Sequence, residues 1–108
     1  LIAMSRTKPQ TRQEILAALK DRRMELHARF GASRLALFGS WLHGDQKRGS
    51  DVDILVEFES GRKTFDNYME LKFYLESLFG RKVDLTTKTA LRSEIREKVL
   101  AEAEYVEA

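Results

Sequence analysis

Asp51 and Asp53 flank Val52 at the head of the alternating run VDILVEF, and they follow a Gly39-Ser40 turn and the polar loop WLHGDQKRGS. Side chains alternate across a strand, so positions 51 and 53 project from one face. Two carboxylates on one face repel unless a cation or a proton shares them. A divalent metal is the obvious cation. Hard ions such as Mg²⁺ commonly use one or two protein carboxylates together with substrate phosphates. With a nearby turn able to hold phosphate oxygens, the pair points toward metal-assisted nucleotidyl or phosphoryl transfer.

Asp84 adds weight, because it sits between Val83 and Leu85 in a further candidate strand and would face away from the core. If that strand lies beside the first, three carboxylates could converge on one or two ions. Gly39 permits close approach of phosphate to main-chain N–H groups, and Ser40 can donate its hydroxyl. Taken without context the same pair reads more readily as an ordinary turn, and the GxxxxGK[ST] phosphate loop is absent. His43 could orient phosphate or move a proton near neutral pH, or simply face solvent. Trp41 and Leu42 could wall a base pocket or belong to the core. Lys47 and Arg48 could screen phosphate charge. Glu57 and Glu59 read as a solvated sheet edge, His27 as a surface or helix-packing residue, and Lys20, Arg22 and Arg23 as a solvated helix face.

The elements that must position these residues follow from periodicity. Thr11 and Glu14 have capping-box spacing, and Ile15, Leu16, Leu19, Leu26 and Phe30 form one helical stripe that stops before Gly31. Residues 33–38 read as a buried strand, Gly39-Ser40 as a turn into a short helical or irregular segment, and 44–50 as a loop. Alternation from Asp51 to Glu59 predicts a strand with Val52, Ile54, Val56 and Phe58 on the core face and Asp51, Asp53, Leu55, Glu57 and Glu59 on the polar one. Phe65, Tyr68, Met69, Leu71, Leu75 and Leu78 predict a helix ending before Gly80. Residues 82–86 predict another strand. Leu91, Ile95 and Val99 mark a final helix extending toward Tyr105. Helices alternating with short strands favour an α+β domain, a small mixed sheet flanked by helices. Residues 1–10 are expected to be a flexible N-terminal segment and 11–108 a single domain.

With 108 residues, one modest core is expected. Hydrophobic residues at 43% exclude a disordered chain. A net charge of only +2, without a basic and aromatic groove, disfavours direct nucleic-acid binding. The absence of cysteine excludes thiolate metal sites and disulfides and suits a cytoplasmic location. No apolar run reaches the roughly 20 residues of a membrane helix.

Taken together, Gly39-Ser40, the following glycine-containing loop, Ser50-Asp51-Val52-Asp53-Ile54-Leu55-Val56 and the later Asp84 resemble the minimal nucleotidyltransferases of the DNA polymerase beta-like superfamily. The likeness covers most of the chain. It implies a polymerase beta-like palm fold, with Gly39 and Ser40 in the phosphate-binding turn, His43 and Ser50 beside it, and Asp51, Asp53 and Asp84 as catalytic carboxylates holding Mg²⁺ or, alternatively, Mn²⁺. Leu42 stands where the family has a small residue, and His43 where it has an arginine. The resemblance further implies transfer of AMP from ATP with loss of pyrophosphate. The acceptor would be a tyrosine on an all-helical HEPN ribonuclease toxin, with which this chain would assemble as the antitoxin. A noncatalytic masking protein that keeps the fold, and transfer to RNA or a small-molecule hydroxyl, are the competing implications.

Overall fold

A computed structural model describes residues 8–107, with the side chain of Glu107 left out of the description. The expected flexible segment 1–10 therefore falls mostly outside the described residues. Within it, the Pro9 carbonyl accepts a 2.9 Å hydrogen bond from Arg81.

Helix α1, Arg12–Asp21, starts at a complete capping box: Glu14 N–H donates to Thr11 Oγ1 at 3.2 Å and Thr11 N–H donates to Glu14 Oε1 at 3.2 Å. It does not run on to Phe30. At Arg22 the backbone leaves helical geometry (φ −109°, ψ 8°), and a second helix, α2, spans Arg23–Phe30. The buried stripe Ile15, Leu19, Leu26, Phe30 is continuous across the break, so periodicity alone does not reveal it. Gly31 closes α2 in the left-handed conformation.

Strand β1, Ala32–Phe38, leads through Gly39 into a single-turn helix, α3, at Ser40–His43. A loop then brings the chain to β2, Val52–Phe58. Helix α4, Phe65–Phe79, is capped by Thr64 at its start and by left-handed Gly80 at its end, and it connects β2 to β3, Val83–Thr86. A 3-10 turn at Lys88–Ala90 precedes α5, Ser93–Glu102, and β4, Glu104–Glu107, closes the described chain.

The four strands lie in the order β3-β2-β1-β4, with β2 antiparallel to β1, β1 antiparallel to β4, and β2 parallel to β3. This is the expected α+β mixed sheet flanked by helices. The main core joins Leu35, Leu37, Val52, Ile54, Val56, Val83 and Leu85 from one sheet face to residues of α1, α2 and α4.

Two expectations change. The final helix does not extend to Tyr105, because Ala103 leaves helical geometry and residues 104–107 pair with the open edge of β1, Tyr105 opposite Ala36 and Val106 opposite Leu35. No glycine or proline announces that exit; an unfilled sheet edge provides the reason for it. The second face of the sheet is not wholly polar either. Leu55 is 1% exposed and packs with Ala36 and Leu91, with Val99, Leu100, Ala103 and Tyr105 around them. β2 is also an interior strand, so Glu57 is not on a solvated edge; it pairs with Arg34 at 3.4 Å. Arg34 in turn stacks its guanidinium over Tyr105, 4.0 Å from the ring centroid.

Leu55→Ala is expected to cost about 2–5 kcal/mol of unfolding free energy, the range for truncating a buried leucine. Chemical denaturation measures it, and a loss near zero would place Leu55 on a solvated face.

Candidate active site

Strand register brings Asp53 and Asp84 together. They are direct partners across the parallel β2–β3 pair, while Phe38 is the partner of Asp53 on the β1 side. Asp53 is half-buried between an aromatic neighbour and a carboxylate, and Asp84 is exposed. Asp51 is exposed and immediately precedes β2. Burial is the main cause that pushes the Asp53 carboxyl up to about 6 from an ordinary 3.8, followed by the charge of Asp84, a hydrogen bond shared with Asp84, and the charge of Asp51.

Gly39 forms the floor beside this pair. Its φ of 78° and ψ of −153° lie in a region essentially confined to glycine. A Cβ added there would overlap the Asp53 carboxylate, lying 2.8 Å from its Cγ. The glycine thus has two physical reasons: backbone conformation and the space its missing side chain leaves for Asp53. Its carbonyl accepts from the N–H groups of Leu42 and His43 at 3.1 and 3.2 Å, which winds α3 directly after it.

The other residues singled out in the loop have structural partners. Trp41 and Leu42 are 2% and 7% exposed and belong to the main core, and the small cavity they help line, about 270 Å³, contains none of the three aspartates. Arg81 stacks over Trp41 at 4.8 Å, and Arg12 donates to the Leu42 carbonyl at 3.2 Å. His43 turns toward α5, its Nε2 lying 3.2 Å from Glu102 Oε1. Ser50 Oγ accepts from Lys47 N–H at 2.8 Å and so shapes the loop. Lys47 and Arg48 are exposed. Glu59 lies 3.3 Å from His27, which links strand end to α2 rather than serving the carboxylates.

Sequence reasoning did not find Phe38 or Glu102 as neighbours of the site. Phe38 lies in the legible strand, but its pairing with Asp53 depends on register; Glu102 is far from His43 in sequence, and no local signal joins them. A cavity of about 820 Å³ lies between α1 and α4, lined by residues such as Ala17, Ala18, Tyr74 and Leu78, and contains none of the three aspartates.

Among the described residues, no group of three His, Asp or Glu side chains is arranged as a ready-made metal cluster. The donor set nevertheless fits a small divalent cation. Asp53 and Asp84 present hard oxygen donors at adjacent positions, and Mg²⁺ characteristically takes one or two carboxylates and completes its shell with phosphate oxygens and water.

The nucleotidyltransferase domain family matches residues 18–106, and the chain belongs to that family. It is 44% identical over 96 residues to the protein adenylyltransferase MntA of Thermococcus cleftensis, covering 89% of this chain and 96% of the relative. It superposes with a TM-score of 0.72 on a solved structure assigned to a minimal nucleotidyltransferase, at 38% identity, covering 90% of this chain and 97% of the other. The fold also recurs in a structure of tri-AMPylated Shewanella oneidensis HEPN toxin in complex with MNT antitoxin, with TM-score 0.58, 18% identity, and coverage of 84% and 71%. The fold is thus the polymerase beta-like nucleotidyltransferase fold, in minimal form.

Two outcomes are expected. The raised carboxyl makes folded metal-free protein bind a proton between about pH 4 and 6 that the unfolded chain has released, so this group's effect is to lower stability as pH rises through that window. Asp53→Asn should therefore melt above the native chain at pH 7 without metal, with the gap shrinking as pH falls below about 6; a pH-independent gap contradicts this origin. Gly39→Ala should cost about 1–3 kcal/mol from backbone conformation alone, read by denaturant titration.

Proposed function

We propose that this chain transfers AMP from ATP to a tyrosine hydroxyl of a HEPN-type ribonuclease toxin, with which it forms a hetero-oligomer, and thereby acts as the antitoxin. The observation that carries this reading is the register pairing of Asp53 with Asp84 beside the Gly39 turn, in a chain 44% identical to a protein adenylyltransferase. The partner class is supported by the recurrence of the fold in a HEPN toxin–MNT antitoxin complex. Residues 11–108 act as a single domain in this reading, and the cytoplasm, where ATP is abundant, is its location. No helix among the described residues is long and apolar enough to cross a membrane.

In the proposed mechanism Asp51, Asp53 and Asp84 hold Mg²⁺, with Mn²⁺ as a substitute. An ion held there would supply charge neutralisation for the triphosphate and polarisation of the α-phosphate. Gly39 lets the triphosphate approach the backbone closely, and Ser40, at the first turn of α3, donates its hydroxyl to a phosphate oxygen. Asp84, exposed at the mouth, takes the proton of the acceptor hydroxyl. The acceptor oxygen then forms its bond to the α-phosphorus as the bond from that phosphorus to the bridging oxygen breaks, and pyrophosphate leaves with the electron pair.

His43 and Ser50 act in this reading by shaping the rim, since their polar atoms already engage Glu102 and Lys47. A noncatalytic masking protein would account for Leu42 and His43 as signs of lost turnover. Their engagement with the core and with Glu102 gives the two departures from the family motif a packing role instead.

The test is transfer of α-phosphate label from ATP with Mg²⁺ to the protein encoded beside this chain. Label should appear on a partner tyrosine with the native chain and fall to background with a folded Asp51→Asn, Asp53→Asn double variant. Label on RNA or a small molecule would redirect the acceptor. Neutralisation of the partner by the double variant, without label, would establish masking instead.

A further inference from the structure

Asp84 stands on β3, a four-residue strand at the edge of the sheet. An edge strand has a neighbour on one side only, and the alternate backbone groups on its outer side are left unpaired. Here Val52 N–H donates to the Lys82 carbonyl at 3.0 Å. Alternation along a parallel pair then turns the backbone groups of Val83 and Leu85 away from β2. Both sets meet α4. Glu76 Oε2 accepts from Val83 N–H at 3.0 Å, and Tyr68 Oη donates to the Leu85 carbonyl at 2.5 Å. The two bonds lie immediately before and after Asp84, and both α4 side chains are half-buried.

We propose that Tyr68 and Glu76 are positioning residues of the transfer site: they clamp the outer edge of β3 on either side of Asp84 and so hold its carboxylate opposite Asp53. The inference rests on the proposed nucleotidyl transfer for its kinetic consequence, but the clamp itself is a property of the folded chain. Val83 and Leu85 bury their side chains in the core, which sets the strand's height above α4. Burial does not set its position along the strand axis or its twist. The β2–β3 ladder fixes the register from the inner side, and two directional hydrogen bonds from one helix brace the outer side, with Asp84 between them.

The spacing is consistent with one rigid support. Tyr68 and Glu76 are eight residues apart on α4, about 12 Å at 1.5 Å per residue. They hold backbone atoms two residues apart on β3, about 7 Å of strand at most. The long side chains converge from the helix on the short strand.

The experiment compares the native chain with Tyr68→Phe, Glu76→Ala and Glu76→Gln. Phenylalanine keeps the ring and removes only the donor, and glutamine keeps an oxygen that accepts from Val83 N–H. Steady-state transfer with ATP is expected to show kcat about tenfold lower for Tyr68→Phe and Glu76→Ala, as for loss of an outer-shell support, with KM for ATP unchanged. Glu76→Gln should stay within about twofold of the native kcat, the rescue that distinguishes a hydrogen-bond acceptor from a charge. Amide hydrogen exchange supplies a second readout that needs no turnover: the Asp84 N–H should exchange faster in Tyr68→Phe and Glu76→Ala while β1 and the centre of β2 keep native protection.

Native kcat in both disruptive variants, or an equal loss of protection across the whole sheet, would overturn the inference. If the native chain transfers no label at all, the proposed function fails, and localised exchange at Asp84 still decides the clamp.

Discussion

Asp53 and Asp84 are two like charges that backbone hydrogen bonding holds side by side. Neither can move away without breaking the parallel β2–β3 ladder, and Asp53 is closed on its other flank by Phe38 and beneath by the Gly39 backbone. Burial first, and the neighbouring charge of Asp84 after it, push the Asp53 carboxyl up to about 6. A site of this kind is unfavourable for the empty folded protein and favourable for a bound cation, since the repulsion that disfavours the one is relieved by the other.

The two sheet faces divide the work. The face toward α1, α2 and α4 carries most of the fully buried aliphatic residues and holds the strands in register. The opposite face carries the carboxylates at one end and the smaller Leu55 cluster beneath α5 at the other. That cluster lends the site face enough packing to bury Asp53 partly while leaving Asp84 and Asp51 exposed. A fully solvated face would leave Asp53 an ordinary carboxylate; a fully buried one would close the approach to all three.

The loop after Gly39 is held by its own residues. Trp41 and Leu42 anchor it in the core, Arg81 and Arg12 reach it from opposite directions in the sequence, and Ser50 ties its far end to Lys47. His43 joins it to the end of α5 through Glu102. Leu42 and His43, which depart from the family motif, are thus both held by contacts within the fold.

The capping box at Thr11, the glycine stops at Gly31 and Gly80, the alternation through β2 and the amphipathic stripe of α4 are local features, and each was legible because capping, left-handed glycine and side-chain periodicity act over a few residues. The spacing of Gly39, Asp51, Asp53 and Asp84 was legible as a pattern of residue types, and it carried the resemblance to the family. What tertiary structure alone decided depends on elements distant in sequence. Residues 104–107, whose Tyr105 and Val106 suit a strand, became one because β1 had an open edge for them to pair with. Leu55 became core because α5 folds over its face. The partnership of Asp53 with Asp84 required β3 to pair parallel with β2 in one register, and a shift of one residue would have turned Asp84 into the core. Residue types and local spacing are written along the chain, whereas register, burial and the distance between charges exist only once remote segments share a sheet.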